Sequence, residues 1–407
     1  MREKNYANKH VLLRLDINAP IDQKTKRIVN QSRLEKSVPT LNYLLDQGAR
    51  VAIIAHQGDT LDYQNLIPLE EHAEILSELT GHEISYIDDV CGPSACKAFE
   101  KVEAGKAVIL GNLRYLTEEV SSFEAAVPLT AKEMTETWLV RKLAPIADAY
   151  VNDAFSAAHR SAPSMVAFQE LLPTAAGDLL FQEHEALSKV LHHAQKPSSF
   201  ILGGAKISDA FGMIEQVLSS GTADSILTCG VTGVIFVMAQ GYSPGKKYEE
   251  WLASRKLLDF VPQAKTYLEK YGDRILVPVD LAYPQDGERK EIKVSDLPLD
   301  DGNFIDIGQE TIALYREEIL KAKTIFLNGP PGVYEQEGFE VGSRSIYEAV
   351  SESEGYSVLG GGDSVTAAGK FISLDKVSYV CTAGGAMVRF MTGKKLPLIT
   401  AMENANK

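Results

Sequence analysis

The sequence predicts an α/β protein built on parallel sheets, and three observations carry that prediction. Short β-branched runs alternate with longer runs of helical period along nearly all of the 407 residues. The strand-like runs fall into two clusters, one before about residue 160 and one after about 198. A single amphipathic stretch, Thr174 to Ala194, lies between them. Strands that alternate with helices imply parallel pairing, because a parallel pair needs a crossover and the crossover helices cover both sheet faces.

Val11 to Leu15 reads as the first strand. Ser32 to Gln47 reads as a helix with Leu34, Val38, Leu41, Leu44 and Leu45 on one face and Gly48 as its stop. Arg50 to Ala55 is the next strand, Pro68 to Thr80 a helix stopped by Gly81, and Ala107 to Leu110 and Ala149 to Val151 are further strands. Leu179, Leu180, Ala186, Leu187, Val190 and Leu191 suit one long helix over Thr174 to Ala194. The domain junction is placed there: an N-terminal lobe over 1–173, a connecting helix over 174–194 and a C-terminal lobe over 195–389. The second lobe's strands are Phe200 to Leu202, Ile226 to Thr228, Ile275 to Val279, Thr324 to Leu327, Tyr356 to Leu359 and Val377 to Cys381.

Composition narrows the function. Lys and Arg number 41 against 55 Asp and Glu, a net charge of −14. That disfavours nucleic acid and anionic membranes as partners, yet leaves room for a local basic cleft. Four cysteines without a CxxC support neither a disulfide framework nor a zinc ribbon. The polar start MREKNYANKH lacks the apolar core of a signal peptide. The most apolar run, Ile226 to Ala239, is broken by Gly230 and Gly233 and falls short of the roughly 20 residues of a membrane span. A cytoplasmic protein is expected, with monomer as the default in the absence of heptads.

Ligands of open α/β sheets bind beyond the carboxyl ends of the strands. In the first cluster those ends carry Asp16 and Asn18, His56, Asn112 and Arg114, then Asn152 and Asp153, with His159 and Arg160 just beyond and Arg33 opening the first helix. Arginines and a histidine gathered there suit a small phosphorylated acid. In the second cluster the ends are glycine-rich: Gly203 to Lys206, Cys229 to Gly233, Asn328 to Gly332, Gly360 to Asp363 and Ala383 to Ala386. Glycine turns that open helices bring backbone N–H groups to phosphates, which suits a nucleotide. Asp363 beside them could hold Mg²⁺. Any one of these glycines is more often just a tight turn, and a buried Asp16 or Asp153 just a cap, so the joint pattern carries the weight. The other histidines, His72 among them, read as structural, with ordinary pKa values as the default. Gly362 to Lys370, GDSVTAAGK, is not a P-loop, and GxGxxG, GxSxG and HExxH signatures are missing.

Taken together, VLLRLDINAP (Val11 to Pro20), YVNDAFSAAHR (Tyr150 to Arg160), FILGGAKISD, FLNGPPGVYE and VLGGGDS resemble the motifs of the phosphoglycerate kinases, in that family's order and over nearly the whole chain. AHQG at Ala55 to Gly58 resembles the archaeal members. The resemblance implies two Rossmann-like, doubly wound lobes joined by a helix, a cleft between them that closes by hinge bending, and a C-terminal tail over 390–407 packing back on the first lobe. It implies that Asp16, Asn18, Arg33, His56, Arg114 and Arg160 bind the phosphoglycerate. Lys206 would contact the transferred phosphoryl group, and Gly230 and Gly308 would line an adenine pocket. Asn328 and Glu335 would reach the sugar and phosphates, and Gly361, Gly362, Asp363 and Ser364 would bind phosphates and Mg²⁺. Arg33 and Lys206 would be the catalytic cations, with helix N-termini near Gly361 and Gly384.

The implied reaction is reversible transfer of a phosphoryl group from 1,3-bisphosphoglycerate to ADP, giving 3-phosphoglycerate and ATP, in glycolysis and gluconeogenesis. Some loops depart from the family pattern. Asp59 stands where a substrate-facing arginine is expected, Ala210 where a lysine is, Cys229 where a glycine triplet opens, and Ala383 within the last glycine motif. They leave open a kinase of this fold acting on another carboxylic acid, or a non-catalytic nucleotide-binding member. An Asp59 pointing to solvent is the favoured reading, with Arg33, Arg114 and Arg160 sufficing for the phosphate.

Overall fold

The computed structural model describes residues 1–58 and 65–405. They divide into two compact units, Met1–His184 together with the segment from Lys395, and Glu185–Lys394.

The first unit is organised by a parallel sheet of β1 (His10–Arg14), β2 (Arg50–Ile54), β3 (Ile84–Tyr86), β4 (Ala107–Ile109), β5 (Ala149–Asn152) and β6 (Thr174–Ala176), in the order β3-β4-β2-β1-β5-β6. Central strands covered on both faces read as unbroken apolar runs. Val11, Leu12 and Leu13 of β1 and Val51 to Ile54 of β2 are accordingly buried. The helix Ser32–Asp46 sends Leu34, Leu41, Leu44 and Leu45 into this core, while Val38 is only half-buried and Ser37 and Thr40 take buried positions beside the leucines. Thr40 is inside because its Oγ1 accepts the N–H of Asp178 at 2.8 Å.

The stretch Thr174 to Ala194 is not one helix. Thr174–Ala176 pairs with Tyr150–Asn152 as edge strand β6, and the helix runs Asp178–Leu191. Three residues are too few to register as a strand by periodicity, so the helical signal downstream absorbed them. The division between the two units falls inside this helix, after His184. The helix Pro397–Ala405 packs within the first unit, where Leu398 N–H donates to the Ala158 carbonyl at 3.2 Å. Residues 390–394 stay with the second unit.

Asp153, just past β5, caps the helix Asp178–Leu191: its Oδ1 accepts the Leu180 N–H at 2.9 Å. Burial raises its pKa to about 7, and the helix N–H bonds offset only part of that rise. A carboxyl whose folded pKa lies above its unfolded value stabilises the fold fully below the unfolded pKa and loses that contribution as pH rises through about 7. Asp153→Asn keeps the acceptor and removes the charge. Its melting temperature should therefore exceed wild type at pH 8 and match or fall below it at pH 5, as followed by circular dichroism. An unchanged difference across that range would contradict the assignment.

The second unit carries β7 (Ser198–Leu202), β8 (Ser225–Thr228), β9 (Ile275–Leu276), β10 (Asp280–Gln285), β11 (Glu288–Lys293), β12 (Asp306–Ile307), β13 (Thr324–Asn328), β14 (Tyr356–Gly360) and β15 (Tyr379–Val380). Six of them form a parallel sheet in the order β15-β14-β13-β7-β8-β9. β9 ends earlier than its sequence suggests, because Pro278 lacks the N–H that a longer strand would need. The other three form a small antiparallel sheet, β11-β10-β12, outside the alternating pattern. Its hairpin turns at Asp286 and Gly287, with φ of 53° and 80°, the left-handed pair that a two-residue hairpin favours. Among the described residues no helix is long and apolar enough to cross a membrane.

Candidate active site

The strand ends of the first unit gather a basic cluster. Asp16, following β1, is buried and accepts from Arg33 Nη1 at 3.0 Å, and the same nitrogen lies 3.4 Å from Ser156 Oγ. Asn18 Oδ1 accepts the Gly58 N–H at 3.0 Å, so the turns after β1 and β2 are tied together. His56, following β2, is buried, and its Nδ1 accepts from Arg14 Nη2 at 2.9 Å. An arginine can only donate, so Nδ1 is bare and the ring hydrogen sits on Nε2. Burial, followed by the charges of Arg14, Arg114, Arg33 and Arg160, holds the His56 pKa well below its ordinary value. The ring is thus a neutral N–H donor, set among four guanidinium groups.

Arg14 is the residue that sequence reasoning missed. It is the last residue of β1, buried, and donates to the Leu15 carbonyl, to Ser164 Oγ at 3.4 Å and to His56. Ser164 in turn gives its N–H and Oγ–H to the buried Glu119 carboxylate at 2.7 and 2.6 Å. Burial raises the Glu119 pKa, and the Ser164 bonds and Arg14 offset part of that rise. Arg114 Nη1 donates to the Glu119 carbonyl at 3.1 Å. Arg160 Nε is paired with Glu124 at 2.6 Å, while its Nη2 is buried without a partner among the described residues. The one available signal for Arg14 was a lone cation in an apolar strand. Asn112 and Asn152 are buried and turned into the fold: Asn112 bonds Gln57 and Ile67, and Asn152 bonds Tyr150 and Ala154.

Two hollows of the second unit gather the glycine-rich strand ends. One, about 320 Å³, is a largely apolar slot walled by Gly204, Gly230, Val231, Phe304, Tyr334 and Pro330, with Glu335 and Asp363 at its polar side. The other, about 900 Å³, is lined by Lys206, Asn328, Gly361, Gly362, Gly384 and Arg389. Lys206 is the exposed N-cap of the helix Ile207–Ser219. Gly361, at φ 85°, opens the helix Gly362–Phe371, and a Cβ there would lie 2.8 Å from Asn328 Oδ1. Only glycine allows that turn and that approach.

Two of the residues expected around the nucleotide lie in neither hollow. Ser364 is buried and its Oγ accepts the Gly329 N–H at 2.7 Å, so it braces the Asn328 to Gly332 turn. Gly308 is required by Asp280: a Cβ at 308 would strike the carboxylate, which caps the helix Gln309–Lys321 through the N–H groups of Glu310 and Thr311, each at 2.8 Å. The neighbouring Ile307 lines the slot in its place. Ala210 is buried on the core side of its helix, Cys229 is the buried N-cap of the helix Gly230–Ala239, and Asp59 lies outside the described residues. His72 departs from an ordinary histidine, since burial lowers its pKa to about 4. Asp306 borders the slot unannounced by any motif. Burial raises its pKa to about 6 despite Arg289 Nη1 at 2.7 Å.

The family model described as phosphoglycerate kinase matches residues 1–394. The chain is 38% identical to the phosphoglycerate kinase of Methanothermus fervidus, across 100% of this chain and 97% of that protein. It is 40% identical to that of Thermococcus kodakarensis, across 98% and 95%. The crystal structure of phosphoglycerate kinase from Pyrococcus horikoshii OT3 superposes with a TM-score of 0.89 at 36% identity, over 100% of this chain and 98% of that one. The structure of phosphoglycerate kinase from Coxiella burnetii does so with a TM-score of 0.84 at 31%, over 100% and 99%. Full-length matches in sequence and in fold leave one conclusion: the chain belongs to the phosphoglycerate kinase family, a phosphotransferase whose acceptor is a carboxyl group.

Proposed function

We propose that the two units divide the family's reaction, the first binding 3-phosphoglycerate or 1,3-bisphosphoglycerate and the second ATP or ADP. The observation that carries this reading is the cluster of Arg14, Arg33, Arg114 and Arg160 around a neutral His56. Such a cluster suits an acid bearing both a phosphate and a carboxylate, since a guanidinium fork matches either group. The apolar slot of the second unit suits a purine, and the glycine-lined hollow suits its phosphates.

In the ATP-consuming direction a carboxylate oxygen of 3-phosphoglycerate attacks the γ-phosphorus. The new O–P bond forms as the bond to the β-phosphate oxygen breaks, and ADP leaves. The carboxylate is ionised at neutral pH, so no base is required. His56 is not arranged to be one, because Arg14 occupies its bare nitrogen. Catalysis is then positioning and charge stabilisation, with Arg33 of the first unit and Lys206 of the second as the cations.

The exposed carboxylate of Asp363, in the first turn of Gly362–Phe371, fits Mg²⁺ carried mainly by nucleotide phosphates and water. Bound there, Mg²⁺ would neutralise phosphate charge. Four cysteines kept as thiols suit a reducing compartment such as the cytoplasm.

A two-way coupled assay tests the division. Arg114→Met and Arg160→Met should each raise KM for 3-phosphoglycerate by about tenfold or more, the loss of one charge-assisted hydrogen bond, with KM for ATP little changed. Glu335→Ala should do the reverse. If the arginine variants moved the ATP constant alone, the division would be wrong.

A further inference from the structure

Gln57 sits where three strand-end turns of the first unit meet, and it is buried. Its main chain is tied to the turn after β4: its N–H donates to Asn112 Oδ1 at 3.2 Å and its carbonyl accepts from Asn112 Nδ2 at 2.8 Å. Its side chain reaches the turn after β1. Nε2 donates to the Ala19 carbonyl and Oε1 accepts the Ala19 N–H, both at 2.9 Å. Ala19 is buried, lies beyond the end of β1 and is followed by Pro20, which offers no N–H. Its peptide groups must be satisfied in some way, and the Gln57 amide does so as a neighbouring strand would.

The chemistry of Ala19 fixes the orientation of that amide, since a backbone N–H can only donate and a carbonyl only accept. Oε1 is therefore an acceptor, and His72 Nε2 lies 3.1 Å from it. Only an Nε2–H can make that bond, and burial, which lowers the His72 pKa to about 4 against a backbone hydrogen bond to Ile17, keeps the ring neutral, so Nδ1 is bare. Its place in the first turn of the helix Glu70–Thr80 also disfavours a ring cation, because that end of a helix is positive. One clamp thus joins four pieces of chain: the turns after β1, β2 and β4, and the start of a helix. The clamped turn carries Asp16, which holds Arg33, and Asn18, which holds Gly58.

We propose that Gln57, oriented by Ala19 and held by the Nε2–H of His72, is a positioning residue that sets the turn bearing Asp16 and Asn18 and so the geometry of the phosphoglycerate half-site. The proposal rests on the assignment of that half-site to the first unit. Gln57→Leu has similar bulk and removes both bonds to Ala19. It should lower kcat/KM for 3-phosphoglycerate by about tenfold or more and leave KM for ATP within about twofold. His72→Leu should act in the same direction. His72→Gln, which can place an N–H where Nε2–H stands, should stay within about threefold of wild type. A merely space-filling role predicts the opposite order of these two variants, and that order would overturn the proposal.

Nitrogen NMR of the wild-type protein adds a readout independent of substrate. His72 should show a protonated Nε2 and a bare Nδ1 from pH 5.5 to 8, and an Nδ1–H tautomer would overturn the clamp. If Gln57→Leu does not fold, the two His72 variants decide. A rise confined to the ATP constant would overturn the half-site assignment and this reading with it. No change in either constant would overturn the clamp alone.

Discussion

Lys206→Ala should lower kcat by about 10²-fold or more, the loss of roughly 3 kcal/mol of transition-state stabilisation. The residue is the exposed N-cap of the helix Ile207–Ser219, and its side chain makes no capping bond there. It lines the hollow with Asn328, Gly361 and Gly362, where the phosphates are proposed to lie. Folding should therefore be nearly unaffected, and the melting temperature should stay within about 2 °C of wild type, the range expected of a surface substitution. Steady-state kinetics in both directions, beside a thermal melt, check the pair of expectations. A wild-type kcat would remove Lys206 from the reaction.

Arg33→Met should be costlier still, because two effects add. In its proposed role Arg33 would be a cation lost to the reacting carboxylate and phosphoryl group, and one unit charge at 4 Å is worth about 4 kcal/mol at an effective dielectric of about 20. Asp16, 1% exposed, also loses the guanidinium 3.0 Å away. Removing one partner of a buried pair costs about 3–5 kcal/mol, and partial exposure of the Arg33 side chain lowers that to about 2. The expected result is a fall in kcat/KM of about 10³-fold together with an earlier urea midpoint.

Arg33→Lys separates the two effects. It returns a positive charge to Asp16 but not the planar fork, so stability should recover while kcat/KM remains about tenfold or more below wild type. Full recovery of activity by lysine would show that Arg33 acts only as a point charge.

Much of this arrangement was legible without coordinates. The alternation of apolar runs specified parallel sheets, since such runs can be satisfied only by strands buried on both faces. Reading past each strand reached Asp16, His56, Arg114 and Arg160 on one side and Lys206, Gly361 and Asp363 on the other. The Asp286-Gly287 hairpin went unread, because the runs beside it, PQ and ERKEIK, are polar and show no apolar alternation. The three residues of β6 were lost for a different reason: a strand that short has no period to detect.

Chemistry and order along the chain, then, are properties that local sequence determined by itself. The choice among equal candidates belonged to the tertiary structure. Nothing near Ser364 or Gly308 distinguishes a ligand-facing group from a brace. That depends on Gly329 and Asp280, each about 30 residues away along the chain. Arg14 looked like an isolated charge until β1 brought it to His56, 42 residues on, and to Ser164, 150 residues on. Gln57 and His72 looked unremarkable until Ala19 fixed an amide and the amide fixed a tautomer. A buried polar group takes its role from whichever partner satisfies it, and in this fold those partners come from other strand ends, which only the folded chain brings together.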